Sequence, residues 1–226
     1  MRSSSAIITP EGYPFIAYAA GLTVFLTAGS LLLTSGTLVL GICAAISLLL
    51  TVFVVSFFRN PERVPPADPD VLVAPADGEV VYVGPANEDH LGSCTKISIF
   101  MSVFNVHVNR APYAGVVRER FYRQGRFLDA RHAKASAENE QCGLVLDLTG
   151  GVQVVCVQIA GLIARRILCY ADVGEQVTRG GRYGLIRFGS RVDLYVPTSV
   201  TPLVTVGEKT TAGLSAVARM PVGERA

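Results

Sequence analysis

At 226 residues the chain can hold one domain with a real core and a modest membrane segment, and a hydrophobic share of 50% with mean hydropathy +0.41 argues for both. A net charge of +2, with no basic run interleaved with aromatics, excludes a nucleic-acid platform. Five cysteines at 43, 94, 142, 156 and 169 form no close pair, which fits neither a disulfide framework nor a zinc site; the thiols are expected to be reduced and mostly buried, and no metal is expected.

Residues 13–33 and 37–58 carry no charge, and each run is near the ~20 residues that cross a bilayer as a helix. Thr34-Ser35-Gly36 separates them. A secretory signal has one short apolar region ending at a small-residue site, whereas two full-length runs here end at an arginine, so a membrane-anchoring helical hairpin over residues 1–58 is predicted. Arg2 precedes the first run, Arg59 and Arg63 follow the second, and no Lys or Arg lies between, so the positive-inside bias puts both ends in the cytoplasm. This predicts a cell-membrane protein with its soluble part on the cytoplasmic side. Residues 59–70 are charged and rich in proline, cannot continue a helix, and read as an extended linker.

Beyond the linker, alternating or β-branched runs recur over 71–73, 79–83, 96–100, 106–108, 116–121, 144–148 and 152–159, punctuated by Gly, Pro and Asn. Residues 71–226 are therefore expected to form a mostly-β, sandwich- or barrel-like domain. Val173-Gly174-Glu175-Gln176-Val177-Thr178-Arg179-Gly180 and Val206-Gly207-Glu208-Lys209-Thr210-Thr211-Ala212-Gly213 agree at five of eight positions, as two lipoyl-like hairpin turns would. Neither copy has the exposed lysine of a carrier domain, so the repeat is read as architecture.

Candidate chemistry centres on Gly189-Ser190, at the join between a run ending in Phe188 and one carrying Val192, Leu194 and Val196. Glycine permits a backbone conformation that turns its carbonyl toward the next hydroxyl. If a base removes the Ser190 proton, the oxygen can attack the Gly189 carbonyl and convert amide to ester; loss of the Cα proton then expels the new chain end, and the product, after water replaces the serine nitrogen as ammonia, is a pyruvoyl group. Taken alone, Gly-Ser between strands is an ordinary turn. In Asn105-Val106-His107-Val108-Asn109 the two valines share one face, which places Asn105, His107 and Asn109 on the other. By itself that pattern also describes an edge strand facing water, and Asp77 in Pro75-Ala76-Asp77-Gly78 also describes a turn residue. Six arginines between Arg110 and Arg131 make either a solvated face or a surface for lipid phosphates.

Phe57-Phe58-Arg59-Asn60-Pro61-Glu62-Arg63, Pro75-Ala76-Asp77-Gly78, Ile97-Ser98-Ile99-Phe100-Met101-Ser102, Asn105-Val106-His107-Val108-Asn109-Arg110-Ala111-Pro112, Gln158-Ile159-Ala160-Gly161-Leu162-Ile163-Ala164-Arg165-Arg166 and Phe188-Gly189-Ser190-Arg191-Val192-Asp193 together resemble the short, membrane-anchored branch of the phosphatidylserine decarboxylases. The resemblance implies a proenzyme that cuts itself between Gly189 and Ser190, giving chains 1–189 and 190–226 with a pyruvoyl cofactor made from Ser190. It also implies that Asp77 and a histidine activate Ser190 in a serine-protease-like triad. The longer bacterial branch carries a second histidine three residues after the position of His107. Here that residue is Arg110, so His107 is assigned to proton transfer, with the division between cleavage and decarboxylation left open.

The expected activity is pyruvoyl-dependent decarboxylation of phosphatidylserine to phosphatidylethanolamine at a membrane, with a phospholipid as partner. A pyruvoyl carbonyl offers the electron sink that side chains lack when an amino acid loses CO2. Two alternatives are a decarboxylase of another serine-headed lipid or of a soluble amino acid, and a non-enzymatic lipoyl-like membrane module in which Gly189-Ser190 stays intact. The hairpin speaks against the soluble substrate, and the co-occurrence of Asp77, His107 and Gly189-Ser190 against the module. Oligomeric state is left open, a homo-oligomer included.

Overall fold

The computed structural model describes residues 6–33, 36–132, 134–149, 151–162, 166–187 and 189–221. Arg2, Thr34, Ser35, residues 163–165 and Phe188, which the sequence reading used, lie outside the described residues. The chain divides into two compact units, one within residues 4–62 and one within residues 63–226.

The first unit is a helical hairpin of α1 (Tyr13–Leu32) and α2 (Thr37–Phe57). With 20 and 21 residues, each helix is about 30 Å long, enough to cross a bilayer's hydrocarbon core. Their outward faces are apolar, as at Phe25 and Leu49, whereas Thr23, Ser47 and Thr51 face the partner helix. Thr23 Oγ1 lies 2.9 Å from Ser47 Oγ and 3.0 Å from Thr51 Oγ1, so these three hydroxyls bond across the helix pair.

The second unit is mostly β. In chain order its strands are β1 (Val71–Val73), β2 (Gly78–Glu88), β3 (Gly92–Met101), β4 (Val108–Arg110), β5 (Gly115–Arg123), β6 (Gln141–Leu148), β7 (Gln153–Ile159), β8 (Ile167–Cys169), β9 (Gln176–Val177), β10 (Arg182–Ile186), β11 (Ser190–Pro197), β12 (Thr201–Pro202), β13 (Lys209–Thr210) and β14 (Ala216–Arg219), with one helical turn, α3 (Ala135–Glu138). An eight-stranded curled sheet runs β13-β2-β3-β11-β7-β6-β5-β9, and three-stranded sheets β1-β14-β12 and β4-β10-β8 accompany it.

Alternation along the central strands sorts side chains into two cores. Val192, Leu194 and Val196 of β11 join the large cluster with Ile97, Ile99, Met101 and Cys156, whereas Tyr195 joins a smaller one with Val155, Val157, Ile159 and Ala135. Each fully buried aliphatic side chain contributes about 1.5–3 kcal/mol, so β11 is held from both faces. The five cysteines are free; Cys94, Cys142 and Cys156 are buried, as the sequence led one to expect.

The five-of-eight repeat has a structural counterpart. Its copies supply β9 and β13, the two edges of the large sheet. Glycines at matching positions have positive φ, +83° and +73° at Gly174 and Gly180, +94° and +75° at Gly207 and Gly213. A Cβ on Gly213 would lie 3.5 Å from the Gly180 Cα, so the curled sheet brings its edges together there. The strands they pair with match too. Gly78 of β2 pairs with Thr210 and Gly115 of β5 with Val177, and each strand bulges two residues later, at Val80/Tyr82 and Val117/Glu119. The sheet is thus two related halves that meet at the β11–β7 seam.

Strand β4 begins two residues after the predicted run over 106–108. The Asn105 carboxamide oxygen accepts from the Ser102 backbone N–H and hydroxyl, both at 2.8 Å, and this local turn keeps residues 105–107 out of the ladder.

Candidate active site

Ser190 is the first residue of β11, opposite Met101 of β3, with Arg191 opposite Ile159 of β7. β10 and β11 belong to different sheets, so Gly189-Ser190 is a crossing between sheets and not a hairpin turn. Gly189 has φ +66°, in the left-handed region that a side chain disfavours by about 1–2 kcal/mol. No atom lies within 4 Å of a Cβ built there, so the requirement for glycine is conformational and not spatial. The space is tight at the carbonyl instead. A Cβ on Gly161 would lie 2.1 Å from the Gly189 oxygen, so the carbonyl that Ser190 would attack rests against the bare backbone of Gly161.

The Ser190 side chain is fully buried, and its hydroxyl lies 3.5 Å from Met101 Sδ. On the same sulfur, 3.6 Å away, sits Asn109 Nδ2 of β4. Gln158 Nε2 of β7 donates to Asn109 Oδ1 at 2.8 Å and to the Leu168 carbonyl at 3.3 Å. Gly184 makes room for that amide, since a Cβ there would lie 2.6 Å from Gln158 Nε2. Among the described residues the hydrogen-bond surroundings of Ser190 are neutral, a thioether and two linked amides, at zero exposure.

His107 is also fully buried, as are Val106 and Val108, so this segment is not an edge strand facing water. Its Nδ1 lies 2.9 Å from the Asn105 carbonyl oxygen. A carbonyl only accepts, so Nδ1 carries the proton, and in the neutral ring Nε2 bears the lone pair a base needs. The His107 segment comes to Ser190 through its neighbour Asn109 and the Met101 sulfur.

Asp77 lies at the turn into β2, its side chain 12% exposed. Arg63 forks onto it, Nη1 to Oδ1 at 2.5 Å and Nη2 to Oδ2 at 2.9 Å, and the Ala212 backbone N–H donates to Oδ1 at 2.8 Å. Among the described residues the hydrogen bonds of Asp77 and of the Ser190 hydroxyl do not run to His107. The three candidate residues are each buried or nearly so, and each has its own set of partners.

Opposite the Ser190 face, Arg191 and Asp193 form a buried ion pair, Nε to Oδ1 at 2.9 Å. Ser136 of α3 donates to Asp193 Oδ2 at 2.7 Å, and Arg191 donates to the Ala130 carbonyl at 2.9 Å and to Ser136 Oγ. The loop around α3 is thereby fastened to β11 just after the Gly-Ser bond. The arginine-rich stretch is met within the fold: Arg120 pairs with Asp172, Arg123 with Asp89 and Arg126 with Glu138, and Arg110 is buried, donating to the Gly180 carbonyl at 2.8 Å. Among the described residues no three His, Cys, Asp or Glu side chains gather as a metal would require.

Sequence reasoning gave no part in the chemistry to Arg63, Gly161 or Gln158. All three lie inside the quoted motifs, but what each touches is set by tertiary structure.

A model of the phosphatidylserine decarboxylase family matches residues 50–218. The phosphatidylserine decarboxylase proenzyme of Trichlorobacter lovleyi is 67% identical over 220 residues, covering 97% of this chain and all of that protein. The proenzymes of Geobacter sulfurreducens and Geobacter metallireducens are 54% and 52% identical, each covering 98% of this chain and all of the relative.

Proposed function

Because the chain belongs to the phosphatidylserine decarboxylase family, self-processing lyases, we propose that it cuts itself between Gly189 and Ser190 and then converts phosphatidylserine to phosphatidylethanolamine. The observation that carries this reading is the geometry at Gly189. A left-handed glycine at a crossing between sheets has its carbonyl pressed on Gly161, and the next residue is a buried serine at the head of a central strand.

In the first stage the Ser190 oxygen adds to the Gly189 carbonyl carbon, and the peptide C–N bond breaks to give an ester. Removal of the Ser190 Cα proton then expels the Gly189 carboxylate and leaves dehydroalanine, which takes up water and loses ammonia to become a pyruvoyl group. His107, whose Nδ1 is held by the Asn105 carbonyl, presents Nε2 for proton transfer. Asp77 serves as the fixed carboxylate of the processing site. The surroundings of Ser190 suit a pyruvoyl group, since among the described residues a small ketone there would meet a thioether and the Asn109 amide. When formed, it supplies an electron sink for the pair left as the substrate carboxylate departs as CO2. Asn109, held by Gln158, would offer it an N–H, and His107 would return a proton. Exclusion of water favours a step that turns a charged carboxylate into neutral CO2.

The products of cleavage are chains of residues 1–189 and 190–226. The helical hairpin anchors the enzyme where its lipid substrate resides, and the arginines at 59 and 63, with none between the runs, support a cytoplasmic catalytic unit.

Ser190→Ala tests this reading directly. The variant should stay a single 24.0 kDa chain and show no decarboxylase activity on phosphatidylserine vesicles. Appearance of the small C-terminal fragment from the variant would overturn it.

A further inference from the structure

Residues 63–70, before β1, belong to the β-rich unit and are fastened along it. Prolines at 65, 66 and 69 hold them extended, and their carbonyls are captured one after another. Arg179 donates to the Pro66 carbonyl at 2.7 Å and to the Asp68 carbonyl at 2.5 Å, and the Tyr113 hydroxyl donates to the Pro69 carbonyl at 2.7 Å. Arg219 pairs with the Asp68 carboxylate at 3.0 Å. What this arm delivers is the Arg63 guanidinium, its side chain only 8% exposed, against Asp77.

The contacts close a ring. Arg63 Nη1 donates to Asp77 Oδ1 and, at 2.9 Å, to the Ala212 carbonyl, while the Ala212 N–H donates back to Oδ1. A carboxylate offers about four acceptor positions. Arg63 fills one on each oxygen and Ala212 a second on Oδ1. Among the described residues one position is left, on Oδ2, and the planar fork fixes the direction in which it points. A guanidinium does this by binding both oxygens in plane, which a point charge cannot do.

We infer that Arg63 is a positioning residue for self-cleavage: it orients the Asp77 carboxylate so that the last acceptor position of Oδ2 faces the group Asp77 must serve. The inference rests on the reading that Asp77 acts in processing. It gives residues 63–70 a part in the reaction, because the chain cannot assemble its processing site until this arm has packed against the turn into β2. The order of events follows, with arm docking before the cut.

The test is a time course of self-cleavage in full-length protein synthesised with lipid vesicles, read as appearance of the 190–226 fragment. Arg63→Gln should slow cleavage about 10²-fold, the scale of a small misplacement of a reacting group. Arg63→Lys should recover part of that loss, since the charge returns without the fork. Asp77→Asn should lose about 10³- to 10⁴-fold, as removal of a triad carboxylate does, and adding Arg63→Gln to it should cost nothing more. The double variant also removes the risk of a buried lone carboxylate unfolding the chain. Cleavage of Arg63→Gln within twofold of wild type, no recovery with lysine, or losses that multiply in the double variant would each overturn the inference. Wild-type processing in Asp77→Asn would instead overturn the reading beneath it.

Discussion

Two turns of the β-rich unit do the same backbone work with different residues. Ala74-Pro75-Ala76-Asp77-Gly78 leads into β2 and Ala111-Pro112-Tyr113-Ala114-Gly115 into β5. In both, the alanine carbonyl accepts from a repeat glycine at 2.8 Å, Gly213 to Ala74 and Gly180 to Ala111. In both, the closing glycine lies where a Cβ would strike a neighbouring carbonyl, 2.0 Å from Phe100 O and 2.4 Å from Asp147 O. The turns part company at two positions, Ala76 against Tyr113 and Asp77 against Ala114, and only the second brings in a charge. A turn that closes with alanine does not need a carboxylate. Asp77 therefore answers to something other than the backbone, and its contacts name it: Arg63 and the Ala212 peptide.

Neutralising the difference should have the largest effect. Asp77→Asn should lower the self-cleavage rate by about 10³- to 10⁴-fold while costing about 1–3 kcal/mol of stability, the loss of one charged partner. Fragment appearance on gels and thermal melting separate the two. The mirror change, Ala114→Asp, should leave cleavage untouched and stability within about 0.5 kcal/mol, because that position is only partly buried. Equal losses from both changes would mean that the halves are not functionally distinct.

The seam between the halves offers the next test. Gly161→Ala pushes a methyl into the Gly189 carbonyl and should slow cleavage about 10²-fold, with about 1–3 kcal/mol of destabilisation from overpacking. Gly92→Ala is the control: it has φ +65° and open space, so it should show the conformational cost alone and cut at the normal rate. Comparable slowing in both would remove the special place given to the Gly161 contact.

The smallest effect lies at the outer side of the sheet, where the β2–β3 turn reaches β5. His90 bonds Glu88 at 3.0 Å and lies 3.4 Å from Glu119, beside the Asp89–Arg123 pair at 2.6 Å. The bond to Glu88, with the nearby Glu119 charge, raises the His90 pKa against a smaller opposing effect of burial. A raised folded-state value means the stabilisation is fully present below the unfolded pKa of about 6.5 and is lost as pH rises through the folded one. His90→Gln should thus lower the melting temperature by about 1–2 °C at pH 5.5–6 and by less at pH 9. A difference that grows with pH would contradict this assignment.

Much of this could be read from the chain before its structure. Uncharged runs gave the helices, alternation gave most strands, and the five-of-eight match gave two related turns, though not that they supply the two edges of the large sheet. The companion match, Ala-Pro-x-x-Gly at 74–78 and 111–115, is shorter and is interrupted by Asp77, the residue that matters. Gly189-Ser190 was legible because the conformational demand is local to the glycine. Gly161 was not, because its reason is a carbonyl 28 residues further along the chain, 189 − 161. Arg63 carried the same obstacle: its fork closes only when the arm is docked, and a charged residue among prolines reads as a solvated linker. Gln158 and Asn109 sit on strands of two different sheets and meet only when these pack together, a meeting that no spacing announces.

The place of β11 has a mechanical consequence. Residues 190–226 carry the central strand held by β3 and β7, the edge strand beside β2, and both β12 and β14, which pair with each other, β14 also with β1. A cut before Ser190 would free one chain end without freeing the chain. To leave, the small piece would have to unzip hydrogen-bond ladders in two sheets at once and drag Val192, Leu194 and Val196 into water. The cut molecule should therefore behave as a rivet whose shank has been severed at the head: two polypeptides by mass in denaturant, and one inseparable body under native conditions.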